Sequence, residues 1–197
     1  MLATAILAAG ESRRMGSPKA LASYRGRTFV EHLVEATRHP QVAVTRIVLG
    51  AGAEEIRKKL SADPAWIIVN PDWQKGQLSS IQAAVRSLPQ TVGGLILCPV
   101  DHPAVTKPLV ARLIAEFIST QAQVIVPTYH NRRGHPVIFR ATLFQELLEA
   151  SSAIGAREVV WAHAKDVLEV ATDEEGIILN FNDPDTLKRA EEPYRNV

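Results

Sequence analysis

Apolar positions along the chain form two alternating kinds of run. Short runs rich in Leu, Ile and Val at residues 2–7, 46–49, 66–69, 94–98 and 124–127 read as buried strands. Between them, stretches at 28–38, 53–60, 78–88 and 107–119 carry apolar residues at helical spacing. In the last of these, Leu109, Val110, Leu113, Ile114 and Phe117 share one face. Strands alternating with helices predict a mostly parallel sheet covered on both sides, an α/β fold of three layers (α/β/α). Two places break the alternation. A strand at 136–139 follows 124–127 across a polar turn at 129–134. That turn is too short for a crossover helix, so one antiparallel strand is expected there. Near the end, strands at 167–170 and 177–181 are expected to flank a turn at 173–176, with a final helix starting after Pro184. No repeat, low-complexity tract or linker interrupts the chain, and the expectation is one domain over 1–197.

Composition narrows the classes of function. The chain has 197 residues, 46% of them hydrophobic, and a formal net charge of +1. Nothing in that balance attracts nucleic acid or an anionic membrane, so neither is expected as a partner. A single cysteine, Cys98, rules out an intrachain disulfide and a multi-Cys zinc site. The apolar run that opens the chain lacks the preceding basic segment of a signal peptide and ends at Gly10. No apolar stretch approaches the roughly 18 residues of a membrane span. The expected location is cytoplasmic.

Ligands of open α/β sheets gather at the carboxyl ends of the strands, and the unusual residues of this chain lie in the loops that follow its predicted strands. After the first comes Leu7-Ala8-Ala9-Gly10-Glu11-Ser12-Arg13-Arg14-Met15-Gly16-Ser17-Pro18-Lys19. Gly10 and Gly16 permit close backbone approach, successive N–H groups can surround phosphate oxygens, and Arg14 and Lys19 add positive charge. The spacings of a P-loop and of a dinucleotide fingerprint are both absent. Taken alone, the segment also reads as a solvated basic turn.

Its full pattern, LAAGxSxRMGxxK, resembles the signature of the MobA-like nucleotidyltransferases, which have a Rossmann-like fold and activate the molybdenum cofactor or related acceptors. The resemblance implies that Leu7, Ala8, Ala9, Gly10, Ser12, Arg14, Gly16 and Lys19 hold the NTP, with Arg14 and Lys19 acting catalytically on the triphosphate. Arg13 matches neither charged position and is expected to be exposed. Asn70-Pro71-Asp72-Trp73-Gln74-Lys75-Gly76-Gln77-Leu78-Ser79-Ser80 resembles the family's NPxWxxGxxSS segment and implies nucleotide contacts for Ser79 and Ser80; simple N-capping is the plainer alternative.

Cys98-Pro99-Val100-Asp101-His102-Pro103 stops at a carboxylate between two prolines. A stiffened carboxylate at a strand end suits Mg²⁺, although an isolated Asp before a turn is usually a cap. The similarity to PxDxP assigns the catalytic metal aspartate to Asp101, with Cys98 in the core and no role for His102. Asn180-Phe181-Asn182-Asp183-Pro184-Asp185 is similar to the family's terminal [DN]x[DN]xPxD, which places the second metal ligand on Asn182, with Asp183 as the alternative. Gly134-His135-Pro136 resembles a GHP turn and implies an acceptor-binding role for His135. Gly155-Ala156-Arg157 resembles a GAR segment, with Arg157 readable as an ion-pair residue only.

The resemblance implies a Mg²⁺-dependent transfer of a nucleotide to a phosphorylated acceptor with release of pyrophosphate. Ala9 and the RMGxxK spacing are similar to the cytidylyl branch, implying CTP and a molybdopterin-type acceptor, with a molybdoenzyme as recipient of the product. The alternatives are the guanylyl branch, a sugar-phosphate or other small phosphate-acceptor nucleotidyltransferase, and a non-catalytic nucleotide-binding or cofactor-chaperone module.

Overall fold

The first strand, β1 (Leu2–Ala8), is buried along all seven of its residues. The computed structural model describes residues 1–191; residues 192–197, the end of the expected 1–197 domain, lie outside the described residues. After β1 come a small hairpin of β2 (Ser23–Tyr24) and β3 (Arg27–Thr28), then α1 (Phe29–Thr37), β4 (Val42–Leu49), α2 (Ala53–Lys59), β5 (Ile67–Val69) and α3 (Gln77–Arg86). The chain continues through β6 (Gly94–Pro99), α4 (Lys107–Ser119), β7 (Val124–Tyr129), β8 (Arg132–Arg133) and β9 (Val137–Arg140). It then runs through α5 (Phe144–Glu149), α6 (Arg157–Ala162), β10 (Val167–Ala171) and α7 (Pro184–Glu191).

The main sheet has the order β10-β7-β9-β6-β1-β4-β5, with β8 paired to β7. β1 is central and parallel to both β4 and β6, which explains why it is apolar at every position but Thr4. Alternate residues of β1 enter different cores. Leu2, Ile6 and Ala8 pack with α1 and α4, while Ala3, Ala5 and Leu7 pack with α3 and α5. These are the three expected layers.

The antiparallel step is β9, which lies between β6 and β7 and runs against both. The polar turn before it is tight: His130 and Asn131 have φ of 46° and 61° between β7 and β8. Positive φ at both central residues is the geometry that matches the twist of a two-residue hairpin.

One expected strand is not there. Residues 177–181 form a 3₁₀ turn (Glu175–Ile177) followed by irregular chain. Ile177 and Phe181 are fully buried, so their apolar character reflects anchoring into the core. Their backbone groups bond to loops: His135 N–H donates to the Ile177 carbonyl at 2.9 Å, and Phe181 N–H to the Asp101 carbonyl at 2.8 Å. Residue 66 also belongs to a 3₁₀ turn (Pro64–Trp66), where Pro64 removes a ladder donor, and β5 starts one residue later.

Strand order also locates the site. From β1 the chain moves outward through β4 to β5, then returns to the other side of β1 as β6. The order therefore reverses between β1 and β6. In open α/β sheets the crevice at such a reversal, beyond the carboxyl ends of the strands, is where ligands bind. The Gly-rich loop leaves β1 there, and Asp101 follows β6. Among the described residues, no helix is long and apolar enough to cross a membrane.

Candidate active site

A cleft of about 440 Å³ opens at this reversal, lined by Leu7, Ala9, Gly10, Ser12, Arg14 and Lys19 of the first loop. Arg13, Trp73, Gln74, Gly76, Gln77, Ser80, Pro99, Val100, Asp101 and Asn182 complete its wall. Four loops that are distant in sequence thus meet on one concave surface.

The first loop closes on itself. Ser12 has φ 56°, and its Oγ accepts the N–H of Lys19 at 3.0 Å, tying the start of the loop to its end. Met15 is buried beneath the turn, and Gly16 at φ 69° ends it in a conformation a side chain would strain. Arg14 is exposed along the cleft. Arg13 is also exposed and pairs with Glu11, although it reaches the rim. Ala8 faces the core, and neither Ala8 nor Gly16 lies on the cleft wall.

The opposite wall is the segment before α3. Asn70, 3% exposed, donates from Nδ2 to Ser79 Oγ at 2.9 Å and to Ser80 Oγ at 3.1 Å. Its Oδ1 accepts the N–H of Asp72 at 3.0 Å. Ser79 is therefore engaged in holding the turn, while Ser80 lines the cleft. The two walls are drawn together by Gly50, at the end of β4. A Cβ there would stand 2.5 Å from Trp73 Cβ and 2.7 Å from the Ala9 carbonyl. Ala51 N–H donates to that same carbonyl at 3.0 Å. Sequence reasoning gave no role to Asn70, Gly50, Trp73 or Gln77. A buried Asn and a glycine ending a strand were the available signals, but the side chains that Asn70 donates to are 9 and 10 positions away, and the groups against Gly50 are 23 and 41.

At the floor of the cleft, Lys19 Nζ lies 3.0 Å from Asp101 Oδ2 and 2.5 Å from Asn182 Oδ1. The Lys19 and Asp101 side chains are only 14% and 20% exposed. Two fixed connections bring these residues together. Val100 N–H donates to the Leu7 carbonyl at 3.1 Å, which extends the β1–β6 pairing up to Asp101. The Asp101 carbonyl then accepts Phe181 N–H, which seats Asn182 beside it. Asp183 points elsewhere: its Oδ1 accepts Thr186 N–H at 2.8 Å and Thr186 Oγ1 at 2.9 Å, in the manner of a helix N-cap. Those bonds hold the Asp183 carboxyl below the usual range.

The oxygen pair has the chemistry of a hard-cation site. One carboxylate and one amide oxygen converge on a single ammonium, a stand-in for a cation at that point. Among the described residues, no three His, Cys, Asp or Glu side chains group as a metal cage. Two protein oxygens suit an ion whose remaining ligands are phosphates and water, as Mg²⁺ prefers.

His102 and His135 lie against each other beside Asp101, with ring centroids 4.8 Å apart and the rings tilted by 56°. His102 Nε2 is 3.9 Å from Asp101 Oδ1, and among the described residues neither Nδ1 finds a partner. Burial, then the neighbouring His102, pushes His135 down to about 4. Burial lowers His102 as well, against the opposing pull of Asp101. His135 does not line the main cleft. It lines a second pocket of about 340 Å³ that adjoins the first through Gln77. Leu78, Ile81, Leu97, Val137 and Phe139 line that pocket, and so does Arg157. Cys98 is buried, and burial pushes its thiol up to about 12, which leaves it inert.

A stability consequence follows from His135. Its folded value is about 4 against an ordinary 6.5, so between these the unfolded chain takes up a proton that the folded chain refuses. This contribution is complete above the unfolded value and is lost as pH falls through the folded one. The loss is on the order of 2 kcal/mol, and urea midpoints at about pH 7 and about pH 4.5 read it. His135→Asn is expected to reduce the pH slope; an unchanged slope would remove His135 as its source.

Comparison with known proteins places this geometry. Residues 4–167 match the MobA-like NTP transferase domain. The chain is 28% identical over 188 residues to the molybdenum cofactor guanylyltransferase of Shewanella sp. (strain ANA-3), covering 93% of this chain and 92% of that one. It is 35% identical over 144 residues to a nicotine blue oxidoreductase of Paenarthrobacter nicotinovorans, covering 70% of each. The crystal structure of Rv0371c from Mycobacterium tuberculosis H37Rv superimposes with a TM-score of 0.85 at 27% identity, covering 98% of this chain and 97% of that one. Rv0371c has also been solved in complex with manganese, with a TM-score of 0.79 at 25% identity over 97% of this chain and 98% of that one.

Proposed function

Because the chain belongs to the MobA-like NTP transferase family, we propose that it transfers CMP from CTP to a phosphorylated, molybdopterin-type acceptor and releases pyrophosphate. The observation that carries this reading is the convergence of Lys19, Asp101 and Asn182 at the floor of the Gly-rich cleft. In the reaction, an acceptor phosphate oxygen forms a bond to the α-phosphorus in line, and the bond from that phosphorus to the bridging oxygen of pyrophosphate breaks. The acceptor's second ionisation lies near pH 6, so a dedicated base is not required. What the protein supplies is position and positive charge.

Arg14, Lys19 and the N–H groups of the first loop stabilise the departing pyrophosphate. Leu7, Ala9, Gly10 and Ser80 shape the nucleotide site, with Ser12 and Ser79 holding its walls. Asp101 and Asn182 would hold a divalent ion, Mg²⁺ in this reading; such an ion offsets phosphate charge. Rv0371c, a protein of similar fold, has been solved in complex with manganese, which supports a divalent metal in this reading.

Two features support the finer assignments. Ala9 is 6% exposed on the cleft wall, its carbonyl pinned by Ala51 and Gly50, so its methyl narrows the space available to a base and favours a pyrimidine. The second pocket supports the acceptor: its wall joins apolar side chains such as Leu78, Ile81 and Phe139 to the polar Gln77 and Ser152, which suits a ring-bearing molecule with polar substituents. His135 and Arg157 face it as the polar groups for orientation.

Pyrophosphate release with Mg²⁺ and purified molybdopterin-type cofactor tests the proposal, with CTP, GTP, ATP and UTP offered separately. Release with CTP alone is expected. Release with GTP alone would move the chain to the guanylyl branch, and nucleotide binding without release would overturn the acceptor. Since one relative carries an oxidoreductase name, the same preparation is assayed for oxidation of a reduced nicotinamide cofactor. Redox turnover without pyrophosphate release would displace the transferase reading.

A further inference from the structure

The cation seated between Asp101 and Asn182 belongs to the protein itself. Lys19 Nζ bonds to Asp101 Oδ2 at 3.0 Å and to Asn182 Oδ1 at 2.5 Å. These are groups that would hold a divalent ion, and an ammonium at hydrogen-bond distance from both opposes a second cation there. The parts differ in freedom. Asp101 is tied into the β1–β6 pairing through Val100, and Asn182 is anchored by Phe181, so both oxygens have fixed supports. The Lys19 backbone is also fixed, by Ser12 Oγ and by buried Ala20. Its ammonium, however, stands at the end of a four-carbon stem with rotatable bonds. Arg14 and the first-loop N–H groups line the same cleft, so phosphates bound there are within the reach of that stem.

We propose that Lys19 is the resident cation of the Asp101–Asn182 site, exchanged for the divalent ion when the triphosphate arrives. Without nucleotide, the ammonium holds the two oxygens together and offsets the Asp101 charge. With nucleotide, the phosphates accept the ammonium and the oxygen pair is released to the metal. Metal and nucleotide then bind with positive coupling, because each removes an obstacle to the other. This proposal rests on the metal-site reading above.

The test is Mn²⁺ binding to the full chain without nucleotide, followed by loss of the free ion's paramagnetic signal. Lys19→Met keeps the straight stem and removes the charge; Lys19→Gln is the second variant. Both are expected to bind Mn²⁺ about tenfold or more tightly than the wild type, since a charge-assisted pair no longer has to be displaced. The gain is expected to vanish in Lys19→Met combined with Asp101→Ala. A non-hydrolysable CTP analogue, after correction for ion held by the analogue alone, should tighten Mn²⁺ binding in the wild type more than in Lys19→Met. If either variant proves unstable, a larger Mn²⁺-induced rise in its unfolding temperature than in the wild type carries the same information. Mn²⁺ binding by Lys19→Met no tighter than by the wild type would overturn the exchange. Undiminished Mn²⁺ binding by Asp101→Ala with the analogue present would instead overturn the metal site itself.

Discussion

Asp101→Ala is expected to lower kcat by about a thousandfold, about 4 kcal/mol of barrier, while the fold remains intact. The side chain sits at the carboxyl end of β6, at the chain reversal, and reaches into the cleft rather than the core. Its loss removes the one carboxylate of the proposed metal pair and leaves Lys19 with Asn182 alone. The structural duty of residue 101 belongs to its backbone: the carbonyl that accepts Phe181 N–H is unchanged in the variant. Steady-state pyrophosphate release beside a thermal unfolding curve separates the two. A variant with wild-type turnover would strip Asp101 of its assigned role, and a large fall in unfolding temperature would show that the side chain also holds the fold.

Phe181→Ala is expected to give the opposite profile, with stability falling first. The ring is fully buried, 5.1 Å from the Tyr24 ring and 5.7 Å from that of Phe29. Truncating such a ring leaves a cavity and costs about 3–5 kcal/mol. That is a large share of the roughly 5–15 kcal/mol that holds a typical domain folded. Activity should fall as well at temperatures where the variant stays folded, because the buried Phe181 ring anchors the chain that presents Asn182 to Lys19. Chemical denaturation measures the first effect and kcat at low temperature the second. A loss under about 1 kcal/mol would mean that the surrounding side chains collapse into the space.

These two residues mark the boundary of what could be read from the sequence. Asp101 was legible because its neighbours declare it: a buried strand ends, two prolines stiffen the turn, and a carboxylate stands between them. Phe181 was misread. Ile177 and Phe181 are apolar because they plug the core from irregular chain, and burial produces the same residue types whether or not a ladder is present. Asn182 and Asp183 could not be separated by motif alone, since either side chain supplies an oxygen. Cap geometry favours Asn182 in the proposed reading, because Asp183 is engaged by Thr186.

The sequence by itself determined the layered architecture, the antiparallel step and most of the loops that line the cleft. Those features are local: strand burial, helical period, glycine and proline placement act over a few neighbouring residues. Only the tertiary structure decided which groups meet. Lys19 bonds across 82 positions to Asp101 and across 163 to Asn182. Gly50 lets Ala9 and Trp73 close on each other, and His102 lies against His135. Contacts of that kind depend on the order of strands in the sheet and on which loops it brings to one edge. No spacing along the chain encodes that order.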